Sequence, residues 1–179
     1  MRARGVHQLM FSVQDSGSVD RCAESGPAPS NKGNLSELKV MTAYVEAGFI
    51  VSVPFGGGAP YDLIVDAGSR LLKVQVKTGR LRNGCVIFPM QRFSGHQKGR
   101  RYEPIEFDLF AVYCPDNNAI YAIDFDKSRS EGRLRCAETR NNQQEKIRWA
   151  NEFDFIKHVE KLREERKEVE LRGLEPLTS

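Results

Sequence analysis

The sequence lacks long apolar runs, and this excludes a membrane-spanning protein. No stretch approaches the roughly 20 apolar residues that a spanning helix needs. The hydrophobic fraction of 40% and the charged fraction of 28% are typical of a globular protein. The first residues also lack the apolar core of a secretory signal, so we expect the protein to stay in a reducing cytoplasm. The length of 179 residues fits one domain of ordinary size.

Cysteine and histidine are too few and too dispersed for a zinc site or a disulfide framework. The four cysteines contain no Cys-x-x-Cys pair, and the three histidines contain no pair at metal-binding spacing. We therefore expect neither zinc nor disulfide bonds.

Acidic residues are absent between Asp66 and Glu103, although the whole chain carries a net charge of only +3. This basic segment has two interpretations. It could be a solvated loop region with a chance bias. It could also track a phosphate backbone, because each Lys or Arg that neutralises a phosphate releases counterions and adds affinity. The cations that we assign to DNA phosphates are Arg80, Arg82, Arg92, Lys98, Arg100 and Arg101.

The chain divides into three parts. Residues 1–30 contain Gly, Ser and Pro without periodicity and are predicted to be a flexible leader. Residues 31–170 are expected to form the folded domain, and residues 171–179 a flexible tail.

A helix and a series of β-rich segments follow the leader. Asn31 or Asn34 can cap a helix that runs to about residue 47 and ends at Gly48, because apolar residues recur there at helical spacing. The next segments are rich in β-branched and aromatic residues and are bounded by turn residues. We predict strands, in a sheet of five or six, at residues 49–55, 61–66, 71–77, 85–90, 109–114 and 119–123.

The remaining segments have weaker patterns. Residues 91–103 are predicted to form a basic loop, in which Tyr102 could stack on bases or pack the loop onto the sheet. Residues 127–142 receive no assignment. A partial helical stripe marks residues 152–172, and it is typical of a packing or dimer helix.

Two neighbouring predicted strands place an acid, an amide and an amine close together. Side chains alternate along a strand, so Gln75 and Lys77 share a face, and hairpin pairing brings Asp62 near both. Glu37 of the first helix can add a second carboxylate if that helix packs across the sheet. Hard oxygen ligands suit Mg²⁺, and an ammonium can stabilise the charge that develops on a phosphate. The pattern therefore predicts phosphodiester cleavage.

The order of these residues resembles the PD-(D/E)XK nuclease superfamily. A helical Glu37 is followed by Asp62 and then by the triplet Gln75-Val76-Lys77. The resemblance implies an α/β fold of restriction-endonuclease type, with an αβββαβ core in which a mixed β-sheet is flanked by helices.

Two positions depart from the general pattern of the superfamily. Tyr61 stands where Pro is usual, and Gln75 stands where an acid is usual. The Gln-x-Lys form resembles the homing-type endonucleases encoded by group I introns, as do residues 31–37 and 107–123. Archaeal Holliday junction resolvases are similar at a greater distance.

The resemblance also implies a role for each residue of the centre. Asp62 would be the main metal ligand, Glu37 a second ligand and Gln75 an auxiliary ligand, while Val76 would lend its backbone carbonyl. Lys77 would stabilise charge. The implied reaction is hydrolysis of double-stranded DNA with Mg²⁺, for which Mn²⁺ can substitute. Alternatives on the same fold are an inactive DNA-binding module and a Holliday junction resolvase.

Cleavage of both strands normally needs two active centres. A nuclease of this kind is therefore expected to be a homo-oligomer, a dimer or a tetramer.

Overall fold

A layer of helices, a central sheet and a smaller sheet are stacked on one another in this protein. The computed structural model describes residues 29–56, 58–92, 100–125, 130–138 and 147–173. Its elements are α1 (Pro29–Glu46), β1 (Ile50–Ser52), β2 (Leu63–Asp66), β3 (Leu71–Thr78), β4 (Arg80–Arg82), β5 (Cys85–Pro89), β6 (Gln91–Arg92), β7 (Arg100–Arg101), β8 (Leu109–Cys114), β9 (Ala119–Asp124), β10 (Glu131–Arg135), a 3-10 helix (Ala150–Phe153) and α2 (Phe155–Gly173).

The central sheet is mixed. Within the described residues it has five strands in the order β1-β2-β3-β8-β9. The number agrees with the predicted five or six, but the predicted strand at residues 85–90 lies in the smaller sheet, as β5. Only the β3–β8 pair among them is parallel. All six residues of β8 are buried, because helices cover one face of this strand and the smaller sheet covers the other.

Alternation along β3 separates the two cores. Leu72, Val74 and Val76 are buried in the first core, which Val40 and Tyr44 of α1 and two residues of α2 complete. Gln75 and Lys77 alternate with these residues and pair with Phe110 and Val112 of β8. The side chains of Phe110 and Val112 belong to the second core, under the smaller sheet. The predicted face assignment for β3 is confirmed.

Some predicted boundaries were wrong. The first helix begins at Pro29, so Asn31 and Asn34 lie inside it rather than at its cap. Proline is well suited to a first helical turn because its missing N–H would have no partner there. The helix α2 continues to Gly173 and so includes the first three residues of the predicted tail.

A strand was missed in the unassigned segment. Strand β10 pairs with β5, and β4 completes the smaller sheet in the order β10-β5-β4. Its inward positions are Gly132 and Leu134, so only one of the two inward positions carries an apolar side chain. A Cβ atom at Gly132 would lie 2.0 Å from the ring of Phe88, and only glycine admits that ring.

The basic segment is also more ordered than predicted at its ends. Strands β6 and β7 pair with each other, so residues 91–92 and 100–101 form a hairpin instead of a loop. The predicted phosphate contact Lys98 lies outside the described residues. No helix occurs in residues 79–92 and 100–108, so the connection from β3 to β8 is made there by the smaller sheet and this hairpin.

A partly buried histidine joins the two helices. Nε2 of His158 in α2 lies 3.0 Å from the hydroxyl of Tyr44 in α1, and Phe155 packs edge-on against the tyrosine ring at 4.8 Å. Burial lowers the pKa of His158 to about 4, and the surrounding charges partly offset one another.

We expect this histidine to make stability depend on pH. The unfolded chain takes up a proton near pH 6.5, whereas the folded chain takes it up only near pH 4. The free energy of unfolding should therefore fall as the pH decreases across this window, by on the order of 2 to 3 kcal/mol. Urea denaturation of the parent and of His158→Gln measures this. The variant should lose that part of the slope, and equal slopes would contradict the assignment.

Candidate active site

The candidate centre forms where the β2–β3 hairpin meets the N-terminal half of α1. Asp62 directly precedes β2, and its backbone N donates to Val74 O at 2.9 Å, which extends the pairing by one residue. The carboxylate turns onto β3, where Oδ2 accepts hydrogen bonds from Val76 N at 2.7 Å and from Gln75 Nε2. Backbone and side chain together hold Asp62 against Gln75, as the hairpin argument predicted.

Gln75 connects two oxygen atoms with its amide group. Besides its bond to Asp62, Nε2 donates to Val76 O at 3.3 Å, and the residue is only 7% exposed. Among the described residues, Asp62 Oδ1 accepts no hydrogen bond. The amide therefore presents the positive end of its dipole to two oxygens that the sequence assigned to a metal.

Glu37 reaches this centre because α1 is fixed to the end of β3. The neighbouring Ser36 is buried, and its hydroxyl bonds to Thr78 Oγ1 at 2.7 Å while also donating to Lys32 O. Glu37 is half-buried as a result. Its pKa is raised by burial first and then by the nearby charge of Asp62.

The two carboxylates are destabilised as anions. Burial raises the pKa of Asp62, although the Val76 N–H and the charges of Lys77 and Arg92 act in the opposite direction. Glu37 and Asp62 therefore share a partly desolvated place in which negative charge is unfavourable. A cation bound beside them would relieve this cost.

Lys77 supplies the positive charge of the centre. Burial lowers its pKa to about 8, Asp62 opposes this shift and Arg92 adds to it. Its Nζ donates to the hydroxyl of Tyr102 at 2.8 Å. The sequence alone allows Tyr102 either to stack on bases or to pack the basic segment onto the sheet. In the structure it packs into the second core and also contacts Lys77, a contact between residues too far apart in sequence for strand pairing to reveal.

A cleft of about 970 Å³ opens beside the centre. Its walls are the first turns of α1, the end of β3 and the outer face of the smaller sheet. The cations that line it are Lys32, Lys77, Arg80, Arg82 and Arg133, and its acidic lining residues are Glu37 and Glu131.

Arg133 was missed by sequence analysis because it lies on the unassigned strand β10. Pairing aligns it across Ile87 with Arg80, so the two arginines share one face of the smaller sheet. Arg133 also lies 3.5 Å from Glu131, and both side chains are well exposed. An exposed pair at this distance is easily exchanged for another anion.

The predicted phosphate contacts are distributed unevenly. Arg80 and Arg82 line the cleft, and the charge of Arg92 acts on the centre. Arg100 is paired with Glu106, so its charge is already compensated. Arg101 is exposed on β7 and does not line the cleft.

The donor set suits a hard divalent cation. In the described part of the chain, no group of three or more His, Cys, Asp and Glu side chains is placed so that it could hold a metal ion. Two carboxylates, an amide and a backbone carbonyl are available instead. Mg²⁺ retains several waters and commonly takes only one or two protein carboxylates, so these residues fit it.

A family model described as PD-(D/E)XK endonuclease matches residues 28–156. The chain belongs to this family. The structure of a bacterial homing endonuclease, I-Ssp6803I, is similar, with a TM-score of 0.63 and 22% identity over 83% of this chain and 100% of the other. No curated protein matches the chain.

The family and the α/β fold class predicted from the sequence are confirmed by these matches. None of the helices in the described ranges is long and apolar enough to cross a membrane.

The two hydrogen bonds of the Gln75 amide predict what happens when this residue is replaced by the acid that is usual in the family. Gln75→Glu would place a third carboxylate against Asp62 and remove the donor that serves Val76 O. We expect the metal-free protein to lose about 1 to 3 kcal/mol of stability, and the stabilisation by added Mg²⁺ to increase. Thermal unfolding in EDTA and in Mg²⁺ measures both. The control is Gln91→Glu, which adds the same charge elsewhere in the cleft; equal losses in both variants would contradict the account.

Proposed function

We propose that this protein is a DNA endonuclease that hydrolyses phosphodiester bonds of double-stranded DNA with Mg²⁺, for which Mn²⁺ can substitute. The observation that carries this proposal is the partly buried contact of Asp62 with Gln75 and Val76, which lies with Glu37 and Lys77 beside a cationic cleft. Membership of the endonuclease family supports it. The proposed catalytic domain spans residues 31–170.

The proposed metal ligands are Asp62, Glu37, the Val76 carbonyl and the Gln75 amide. The bound ion would polarise the scissile phosphate and lower the pKa of a water molecule. Gln75 can offer its oxygen by rotating its amide, which exchanges the donor that now faces Asp62 for an acceptor. Such an exchange is unfavourable without a cation, because it places oxygen against oxygen.

The protein's own groups have separate roles in this proposal. The Val76 N–H fixes Asp62 by one oxygen, Oδ2, and leaves Oδ1 available. Lys77, with a pKa of about 8, keeps most of its charge at neutral pH and can stabilise the negative charge that develops on the phosphate. Burial strengthens that interaction because less water screens it.

The cleft is proposed to hold the DNA backbone. Arg80, Arg82 and Arg133 lie on its walls, so they can neutralise phosphates on the way to the centre. The similar structure is that of a homing endonuclease, and the Gln-x-Lys triplet of this chain favours the same branch of the family. We propose a cytoplasmic homo-oligomer, a dimer or a tetramer, because two cuts need two centres.

The central prediction concerns catalysis without loss of binding. Asp62→Asn and Lys77→Met should each lower plasmid cleavage in Mg²⁺ by about 100-fold or more, because one weakens metal binding and the other removes the ammonium. DNA affinity measured in EDTA should change little. Cleavage by both variants at the parental rate would refute the assignment.

Two further outcomes identify the alternative functions. Binding of DNA by the parent without cleavage, together with no Mg²⁺ or Mn²⁺ site in calorimetry, would identify an inactive DNA-binding module. Preference for four-way junctions over linear duplex would identify a resolvase.

The arginines that line the cleft predict how DNA affinity depends on salt concentration. Arg82→Gln and Arg133→Gln should each weaken DNA binding and reduce the slope of log affinity against log salt by about 1. The control is Arg70→Gln, which removes a charge from the same basic segment of the sequence but from a residue paired with Glu165 outside the cleft. Fluorescence anisotropy over a salt series measures the slopes, and an equal effect at Arg70 would contradict the proposed surface.

A further inference from the structure

Lys77 is held by a tyrosine. Its Nζ lies 2.8 Å from the hydroxyl oxygen of Tyr102 and 5.0 Å from the centre of the ring. An ammonium group can only donate hydrogen bonds, so the tyrosine oxygen is the acceptor. The ring centre is much farther away than the hydroxyl, and the hydrogen bond is therefore the main contact.

The ring of Tyr102 is fixed by the second core. It is 3% exposed and packs edge-on against Phe107 at 4.9 Å and against Phe110 at 5.8 Å. Phe110 is also the β8 residue that pairs with Gln75. The same aromatic cluster thus supports both the strand that carries the centre and the hydroxyl that meets Lys77.

The hydrogen-bond partner of Lys77 is neutral, so this contact does not compensate the charge of the ammonium group. Lys77 forms no ion pair with any acidic side chain in the described ranges. Burial first and then the charge of Asp62 raise the pKa of Tyr102 to about 12, so the hydroxyl stays protonated at neutral pH. An acid in this place would orient the ammonium equally well but would compete with a phosphate for it.

Lysine needs such a partner because its side chain is long. A free lysine side chain samples many rotamers, and fixing it costs up to about 2 kcal/mol of entropy. A buried acceptor that selects one arrangement in advance removes this cost from the reaction. Small misplacements of a reacting or stabilising group can lower a rate by about 100-fold.

We propose that Tyr102 is a positioning residue, whose buried neutral hydroxyl holds the Lys77 ammonium at the wall of the cleft without neutralising it. This inference rests on the proposed endonuclease function, since without phosphodiester cleavage there is no reaction for Lys77 to assist.

The test is Tyr102→Phe, which retains the ring and removes only the hydroxyl. Single-turnover cleavage of duplex DNA in Mg²⁺ is measured over a range of enzyme concentrations. We expect the maximal rate to fall about 10- to 100-fold while the half-saturating concentration changes less than about twofold, because phosphate contacts elsewhere in the cleft are intact. If Tyr102 had a purely structural role, the maximal rate would not change independently of the half-saturating concentration.

The matched control is Tyr121→Phe. Tyr121 is buried in the same second core, and its hydroxyl bonds to Asn117 at 2.8 Å rather than to the centre. Its variant should cleave at the parental rate. If Tyr102→Phe proves unfolded by thermal denaturation, 3-fluorotyrosine at position 102 keeps the shape with a poorer acceptor, and its maximal rate should lie below the parental rate.

The outcomes separate this inference from the function on which it rests. A parent that does not cleave DNA overturns both. The positioning role alone is overturned if the parent cleaves DNA, its cleavage depends on Lys77, and the maximal rate of Tyr102→Phe lies within about twofold of the parental rate. A rate loss accompanied by an equal loss in Tyr121→Phe also overturns it, because the hydroxyls would then act only through the core.

Discussion

The register between β2 and β3 is the constraint on which the centre depends. Leu63 faces Val74 in this register, and the additional bond from Asp62 N to Val74 O continues it by one residue. A shift of one position would turn Gln75 and Lys77 toward the helices and bury them among apolar side chains. The alternation of β3 opposes that shift, because Leu72 and Val74 would then leave the first core. Packing energy therefore determines which polar groups meet.

The centre contains two carboxylates whose negative charge is unfavourable and an amide that reduces this cost. Burial raises the pKa of both Glu37 and Asp62, and the charge of Asp62 raises that of Glu37 further. Negative charge there is unfavourable for folding, and a bound cation would stabilise it. Gln75 reduces that cost in the metal-free protein because an amide can donate where a carboxylate could only repel. If the centre binds a metal ion as proposed, an amide in place of an acid would lower the metal affinity and stabilise the metal-free protein.

Periodicity and strand pairing determine the parts of the structure that can be predicted from the sequence. The grouping of Asp62 with Gln75 followed from strand alternation and a hairpin, and both depend on local sequence. The docking of Glu37 had to be assumed, since it depends on the contact between Ser36 and Thr78, which lies across a tertiary interface. Tyr102 could not be assigned to Lys77 for the same reason. Strand β10 was hidden because the ring of Phe88 fills the space above Gly132, so the apolar partner of that position is on another strand.

The two faces of the smaller sheet differ, and the ring of Phe88 over Gly132 lies on the inner one. Phe88 and Leu134 anchor the inner face of the smaller sheet, while its outer face carries exposed arginines and takes no part in that core. Residues on the outer face can change without disturbing the anchor or the β2–β3 hairpin. For the proposed endonuclease, this arrangement would let the DNA-contacting face vary, in nature or in the laboratory, while the proposed centre stays unchanged.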